Sequence, residues 1–125
     1  MASPQQRLIK KLDASLSKLI RENKKCYTCG KVAAHAGHFV RRGQMATRFD
    51  LHNIRPQCVR CNTFLYGNAP EYAFRLRKEL GDKVFEELIK KSRQTKQWSV
   101  KDLETLLEAT KYGISFYTET YNKLT

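Results

Sequence analysis

The sequence predicts an α+β fold, a compact cysteine-paired core between an N-terminal helix and a C-terminal helical extension. Three observations predict it. Two Cys-x-x-Cys pairs, Cys26-Tyr27-Thr28-Cys29 and Cys58-Val59-Arg60-Cys61, bracket a segment with short extended runs. Leucines at helical spacing precede them, and several helical stripes follow. The length, 125 residues, suits one small domain with helical additions.

Residues 1–25 form the N-terminal part. Leu8, Leu12, Leu16 and Leu19, with Ile9 and Ile20 beside them, predict an amphipathic helix over residues 5–23. Lys10, Lys11, Lys18 and Arg21 fall among its polar positions, where they serve either a solvated face or a phosphate-contacting flank. Residues 26–69 form the core. The first cysteine pair closes on Gly30, a residue suited to a tight backbone turn. A strand is expected within His35–Val40, then a loop opening at Arg41-Arg42-Gly43-Gln44. Asn53–Gln57 reads as extended, because Pro56 biases Arg55 away from helix. A short helix is expected from about Cys61 to the Gly67-Asn68 turn signal.

Residues 70–125 form the extension. Tyr72, Leu76 and Leu80 mark a helix over residues 70–80, which Gly81 interrupts. Val84, Phe85, Leu88 and Ile89 mark a second over residues 82–91. Ser99 with Asp102 resembles a helix cap. Leu103, Leu107, Ile114, Tyr117 and Tyr121 follow as a stripe, with Gly113 expected to bend or weaken that helix. Such stripes serve a core or a partner interface.

Lys and Arg number 24 against 12 Asp and Glu, a net charge of +12. Residues 1–70 carry 13 basic and 3 acidic side chains, whereas residues 71–125 carry 11 and 9. The excess lies on the half that holds the cysteines, which points to a polyanionic partner, nucleic acid first among them. No apolar run approaches membrane-spanning length, and the N-terminus lacks the apolar stretch of a secretory signal. The expected setting is therefore a reducing cytoplasm, where paired cysteines hold metal in preference to forming disulfides.

Each Cys-x-x-Cys knuckle supplies two thiolates, and two knuckles complete a tetrahedral Zn²⁺ site with Zn–S of about 2.3 Å. Cys26, Cys29, Cys58 and Cys61 are the expected ligands, with 28 residues between the knuckles. Four sulfurs leave no open position for water, so this zinc is a scaffold.

The segment between the knuckles carries the rest of the chemistry. It contains Ala36-Gly37-His38-Phe39, Arg48-Phe49-Asp50, Asn53 and Gln57-Cys58-Val59-Arg60-Cys61-Asn62, followed by Gly67-Asn68. The order His38, Asn53, Asn62 resembles the HNH, or ββα-metal, nucleases, and the run as a whole resembles the phage NinG/Rap recombination endonucleases over about residues 26–97. Endonuclease VII shares the plan of two knuckles followed directly by Asn. The resemblance implies a ββα-metal fold for the core and cleavage of branched DNA, such as Holliday junctions and D-loops. It gives His38 the role of general base, Asn53 that of loop positioner and Asn62 that of helical ligand to a catalytic Mg²⁺ or Mn²⁺. Neutral imidazole suits proton abstraction near pH 7, and a hard cation suits phosphate oxygens. Many HNH enzymes place a metal-binding Asp immediately before the base; here the neighbour is Gly37. Either Asp50 completes the site, or His38 itself binds the cation and another group, His35 or His52, activates water. Arg41, Arg42 and Arg48 flank the site as candidate DNA contacts, with Arg55 and Arg60 as further ones. Tyr66 suits either base stacking or core packing.

These readings converge on a metal-dependent DNA endonuclease in a phage-infected or prophage-bearing host. A homodimer is expected from the need for two cuts at a junction, with the first and last helices as candidate interfaces, and recombination proteins are possible partners. The rival reading is a non-catalytic zinc-stapled nucleic-acid-binding protein, and a third is a protein-interaction module.

Overall fold

The leucine periodicity near the N-terminus produces α1, Pro4–Arg21, in the computed structural model, which describes residues 1–125. Its start is a capping box: Ser3 Oγ accepts from Gln6 N (3.1 Å) and Gln6 Oε1 accepts from Ser3 N (2.8 Å). Proline stands at the first helical position, where it costs no hydrogen bond. Leu12, Leu16 and Ile20, four residues apart, are buried. No helix is long and apolar enough to cross a membrane.

The central segment is mixed α+β but sparing in sheet. Strand β1, His35–His38, pairs antiparallel with β2, Ile54–Gln57, in the register His35↔Gln57, Ala36↔Pro56, Gly37↔Arg55 and His38↔Ile54. β1 is shorter than the expected run to Val40, because the chain leaves the ladder at Phe39, whose N–H still bonds Asn53 O (2.9 Å). A 3-10 turn, Leu51–Asn53, leads into β2. After the second knuckle the expected short helix is a π-helical turn, Arg60–Phe64, starting one residue early; Leu65 N donates to Arg60 O (2.8 Å). The wide turn ends at the Gly67-Asn68 pair, both with positive φ.

Helices α2, Ala69–Leu80, and α3, Asp82–Ser92, pack against each other. Their buried Tyr72, Leu76, Phe85 and Leu88 form a core on which Tyr27 of the first knuckle and Phe39 beyond β1 also pack. Ring centroids lie 5.6 Å apart for Tyr27–Tyr72, 5.3 Å for Phe39–Tyr72 and 5.4 Å for Phe39–Phe85, in tilted geometries favoured by aromatic quadrupoles. The Tyr72 hydroxyl donates to Gly37 O (2.8 Å). The helical pair therefore carries the β-hairpin on its apolar face.

Two compact units emerge: residues 20–96 form one, and residues 1–19 with 97–125 form the other. The cuts differ from the 25/26 and 69/70 boundaries drawn from motifs, because α2 and α3 share their core with the knuckle segment. In the other unit, Ser99 caps α4, Val100–Ala109, by accepting from Asp102 N (3.0 Å). Gly113, with φ +95°, breaks the chain between a 3-10 turn, Thr110–Tyr112, and α5, Ile114–Leu124. That break resets the helical phase. Leu103, Leu106, Ala109, Tyr117 and Tyr121 are buried, while Ile114 is exposed and Leu107 only half-buried, contrary to the continuous stripe expected. Trp98 joins the buried set, 5.9 Å from the Tyr121 ring.

Candidate metal centre and active site

The four cysteine sulfurs lie within 4.8 Å of one another. A zinc ion at about 2.3 Å from each ligand sets sulfurs about 3.8 Å apart; Cys29 Sγ and Cys58 Sγ are 3.6 Å apart. The donor set and spacing fit zinc, and all four cysteines are free of disulfides. Local structure explains the convergence. The first knuckle turns on Gly30 N→Cys26 O (2.8 Å), beside a β-bridge between Lys25 and Val32. The second places Cys61 N 3.4 Å from Cys58 Sγ, and Asn68 Nδ2 reaches Cys61 Sγ at 3.8 Å.

The thiols do not share one proton affinity. Burial pushes Cys26 up, yet the Thr28 hydroxyl and backbone donors at Cys58 and Thr28 outweigh it and bring Cys26 down to about 6. At Cys29 the Lys31 backbone N–H favours the thiolate, but burial and the three neighbouring cysteines push it up to about 12. Four thiolates gathered this closely need a cation to coexist, which is how metal affinity and folding become linked at such sites.

Gln57 ties the cluster to the hairpin. Its Nε2 donates to Thr28 Oγ1 (3.1 Å) in the first knuckle and to Gly67 O (2.9 Å) in the turn that follows the π-helical one. Its Oε1 is buried without a hydrogen-bond partner and points at Gly37. A Cβ on residue 37 would lie 1.9 Å from that oxygen. The space beside residue 37 is thus filled by the Gln57 side chain, and glycine is what that packing permits.

Asn62, in the π-turn, donates from Nδ2 to His35 Nδ1 at 3.0 Å. The residue brought to Asn62 is therefore His35. Strand alternation puts His35, Gly37, Arg55 and Gln57 on one face of the hairpin and His38 with Ile54 on the other. His38 Nε2 lies 2.9 Å from Arg48 O. A carbonyl only accepts, so Nε2 carries the hydrogen and a neutral ring keeps its lone pair on Nδ1. Asn53 is fully buried: its Oδ1 accepts from Val40 N (2.7 Å), and its Nδ2 donates to Val40 O (2.9 Å) and Thr47 O (3.1 Å). Those bonds pin both ends of the loop that contains Arg41 and Arg42.

Asp50 caps the 3-10 turn, accepting from His52 N (2.9 Å), and its second oxygen pairs with Lys91 Nζ (3.1 Å). That is the turn-capping role open to any such aspartate. His52 is exposed, with Nδ1 3.9 Å from Asp50 Oδ1. Among the arginines, Arg41, Arg42 and Arg60 are exposed. Arg48 is half-buried and donates to Arg42 O (3.1 Å). Arg55 is committed inward: it pairs with Glu79 at 3.3 Å, donates to Leu51 O and Ile54 O, and lies 5.5 Å over the Tyr27 ring. Burial opposes ionisation of Glu79, but Tyr27 and Arg55 outweigh it and hold the carboxyl below its ordinary value. Burial and Glu79 push Tyr27 up to about 12.

Gln57 and Glu79 carry structural roles that residue patterns did not single out. A polar residue immediately before the second knuckle was the available signal for Gln57. Nothing local marks Glu79, whose partners lie 24 and 52 residues away.

A family model described as Bacteriophage Lambda NinG protein matches residues 1–116. Protein ninG of Escherichia phage 933W is 28% identical over 110 residues, which cover 82% of this chain and 54% of that protein. Protein ninG of Enterobacteria phage VT2-Sa gives the same figures. Protein ninG of Escherichia phage lambda is 26% identical over 110 residues, covering 82% of this chain and 53% of the relative. The chain spans about half the length of the curated relatives it matches. No solved structure matches it.

Proposed function

This chain belongs to the NinG family, and on that premise we propose that it is a metal-dependent DNA endonuclease acting on branched recombination intermediates. The observation that carries the reading is the approach of Asn62 to His35, 3.0 Å apart, beside a cysteine cluster able to hold zinc and within the more basic half of the chain. With the Asn62 amide turned so that Oδ1 takes the place of Nδ2 beside His35 Nδ1, an amide oxygen and an imidazole nitrogen would be cation donors. A divalent cation bound there would offset charge on the phosphate and on the departing 3′ oxygen.

The donor set is poor in carboxylate, since Asp50 is held by Lys91 and the His52 N–H. A mixed nitrogen and oxygen set suits Mn²⁺ better than Mg²⁺, which takes oxygen ligands almost alone. In this reading Asn62 and His35 would hold a cation that lowers the pKa of its bound water, His38 on the opposite face anchors the Arg48 carbonyl, and Asn53 fixes the loop that presents Arg41 and Arg42 to phosphate. Arg60 extends that phosphate track. A homodimer would supply two such sites to a junction.

The test is incubation of zinc-loaded protein with a labelled four-way junction and its linear duplex, with and without Mn²⁺ or Mg²⁺. Metal-dependent nicking that prefers the junction supports the reading. Asn62→Ala should abolish turnover with binding retained, and His35→Ala should raise the metal concentration required. Tight binding without cutting in either metal would leave a zinc-stapled DNA-binding protein.

A further inference from the structure

Within ten residues of chain the second knuckle and its turn expose four large apolar side chains: Val59, Phe64 (71% exposed), Leu65 and Tyr66 (91% exposed). The backbone under them is unusual. Tyr66, Gly67 and Asn68 have φ of +52°, +86° and +51°, and the left-handed region is uncommon for tyrosine. The turn is nevertheless anchored: Gly67 N donates to Cys61 O (2.8 Å), Gly67 O accepts from Gln57 Nε2 (2.9 Å), and Asn68 reaches the Cys61 sulfur. The cysteine cluster thus braces a turn that holds two aromatic rings outward.

We infer that Phe64 and Tyr66 form a stacking platform for unpaired nucleobases, with Arg60 of the same turn on the adjoining phosphate. Charge selects this occupant. Arg60 is the one charged side chain in residues 59–68, and residues 1–70 carry 13 basic against 3 acidic groups. Exposed rings beside a cation in a basic field are how sequence-tolerant binders hold single strands, since every base offers a π-face. Asn62 lies in the same π-helical turn as Phe64, which links the platform along the chain to the proposed cleavage site. The inference deepens the nuclease reading and rests on it for its biological sense, naming the feature of a branch that is selected. Its physical content is binding alone.

The test is fluorescence anisotropy on zinc-loaded protein without Mn²⁺ or Mg²⁺, using an oligothymidine strand, the same backbone with abasic sites, and a linear duplex. Wild type should bind oligothymidine about ten-fold more tightly than the abasic strand, within the range for stacked bases. Tyr66→Asn, which suits a left-handed backbone, and Phe64→Ala should each weaken oligothymidine binding by about five- to one-hundred-fold. Tyr66→Phe should retain it. Neither Tyr66→Asn nor Phe64→Ala should alter the salt slope, whereas Arg60→Gln should lower it by about 1. Equal affinity for oligothymidine and abasic strands, or no effect of Tyr66→Asn and Phe64→Ala, overturns the inference. Loss of dimers in sedimentation with DNA binding intact also overturns it, making the patch a contact between copies. Base preference without cutting in any metal keeps this inference and sinks the nuclease reading; cutting without base preference does the reverse.

Discussion

Gly37→Ala tests whether Gln57 is the strut that joins the cysteine cluster to the hairpin. The new Cβ would lie 1.9 Å from Gln57 Oε1, 2.6 Å from Cδ and 2.9 Å from Cγ, so the Gln57 side chain must leave. It is fully buried and gives up bonds to Thr28 Oγ1 and Gly67 O when it moves. Two buried hydrogen bonds at about 1 kcal/mol each, plus partners left unsatisfied, make a loss of roughly 2–4 kcal/mol. Near a chain of this length that lowers Tm by about 8–15 °C. The assay is thermal and urea unfolding at one fixed zinc concentration, run as a double-mutant cycle with Gln57→Ala. Because Gln57→Ala removes the obstructing atoms, the double variant should be less destabilised than the sum of the two, with a coupling of about 1–2 kcal/mol. A neutral Gly37→Ala, or strict additivity, would refute the packing account of that glycine.

The remaining predictions concern the loop, the acid side and the metal. Asn53→Ala removes three side-chain bonds from a fully buried position and strands Val40 and Thr47 groups, so it should cost about 2–4 kcal/mol and lower DNA affinity, read by unfolding and anisotropy. Glu79 has a depressed folded-state pKa, so its stabilisation is present above the unfolded value of about 4.3 and is lost as pH falls through the folded one. Half-exposure limits it to about 0.2–1 kcal/mol, and the Tm gap between wild type and Glu79→Gln should close towards pH 3. Native mass spectrometry should find one zinc per chain, lost in Cys58→Ser, and a chelator should unfold the segment around the cluster.

How much was legible follows from the range of the interactions. Elements stabilised by local periodicity, α1, α2, α3 and the Ser99 cap, stand within one or two residues of their expected limits, since their signals lie within a single turn. The four cysteines were legible because metal ligation imposes a spacing. The phase of α5 was not, because Gly113 reset it and moved Ile114 outward. The partner of Asn62 was not legible either. Face alternation in a four-residue strand decides it, and that register is fixed by Gln57 and Asn53 rather than by apolar patterning. Arg55 looked like a surface cation in sequence; its commitment to Glu79 depends on α2 lying against the hairpin, which no local pattern encodes.

The most direct measurement compares wild type and Asn62→Ala, both zinc-loaded, on a labelled four-way junction in Mn²⁺, with binding and nicking read in the same reaction. The account predicts that wild type nicks the junction only with added metal, and that Asn62→Ala binds it with unchanged affinity while nicking falls by at least about two orders of magnitude. Undiminished nicking by Asn62→Ala, or none by wild type in Mn²⁺ or Mg²⁺, would contradict it.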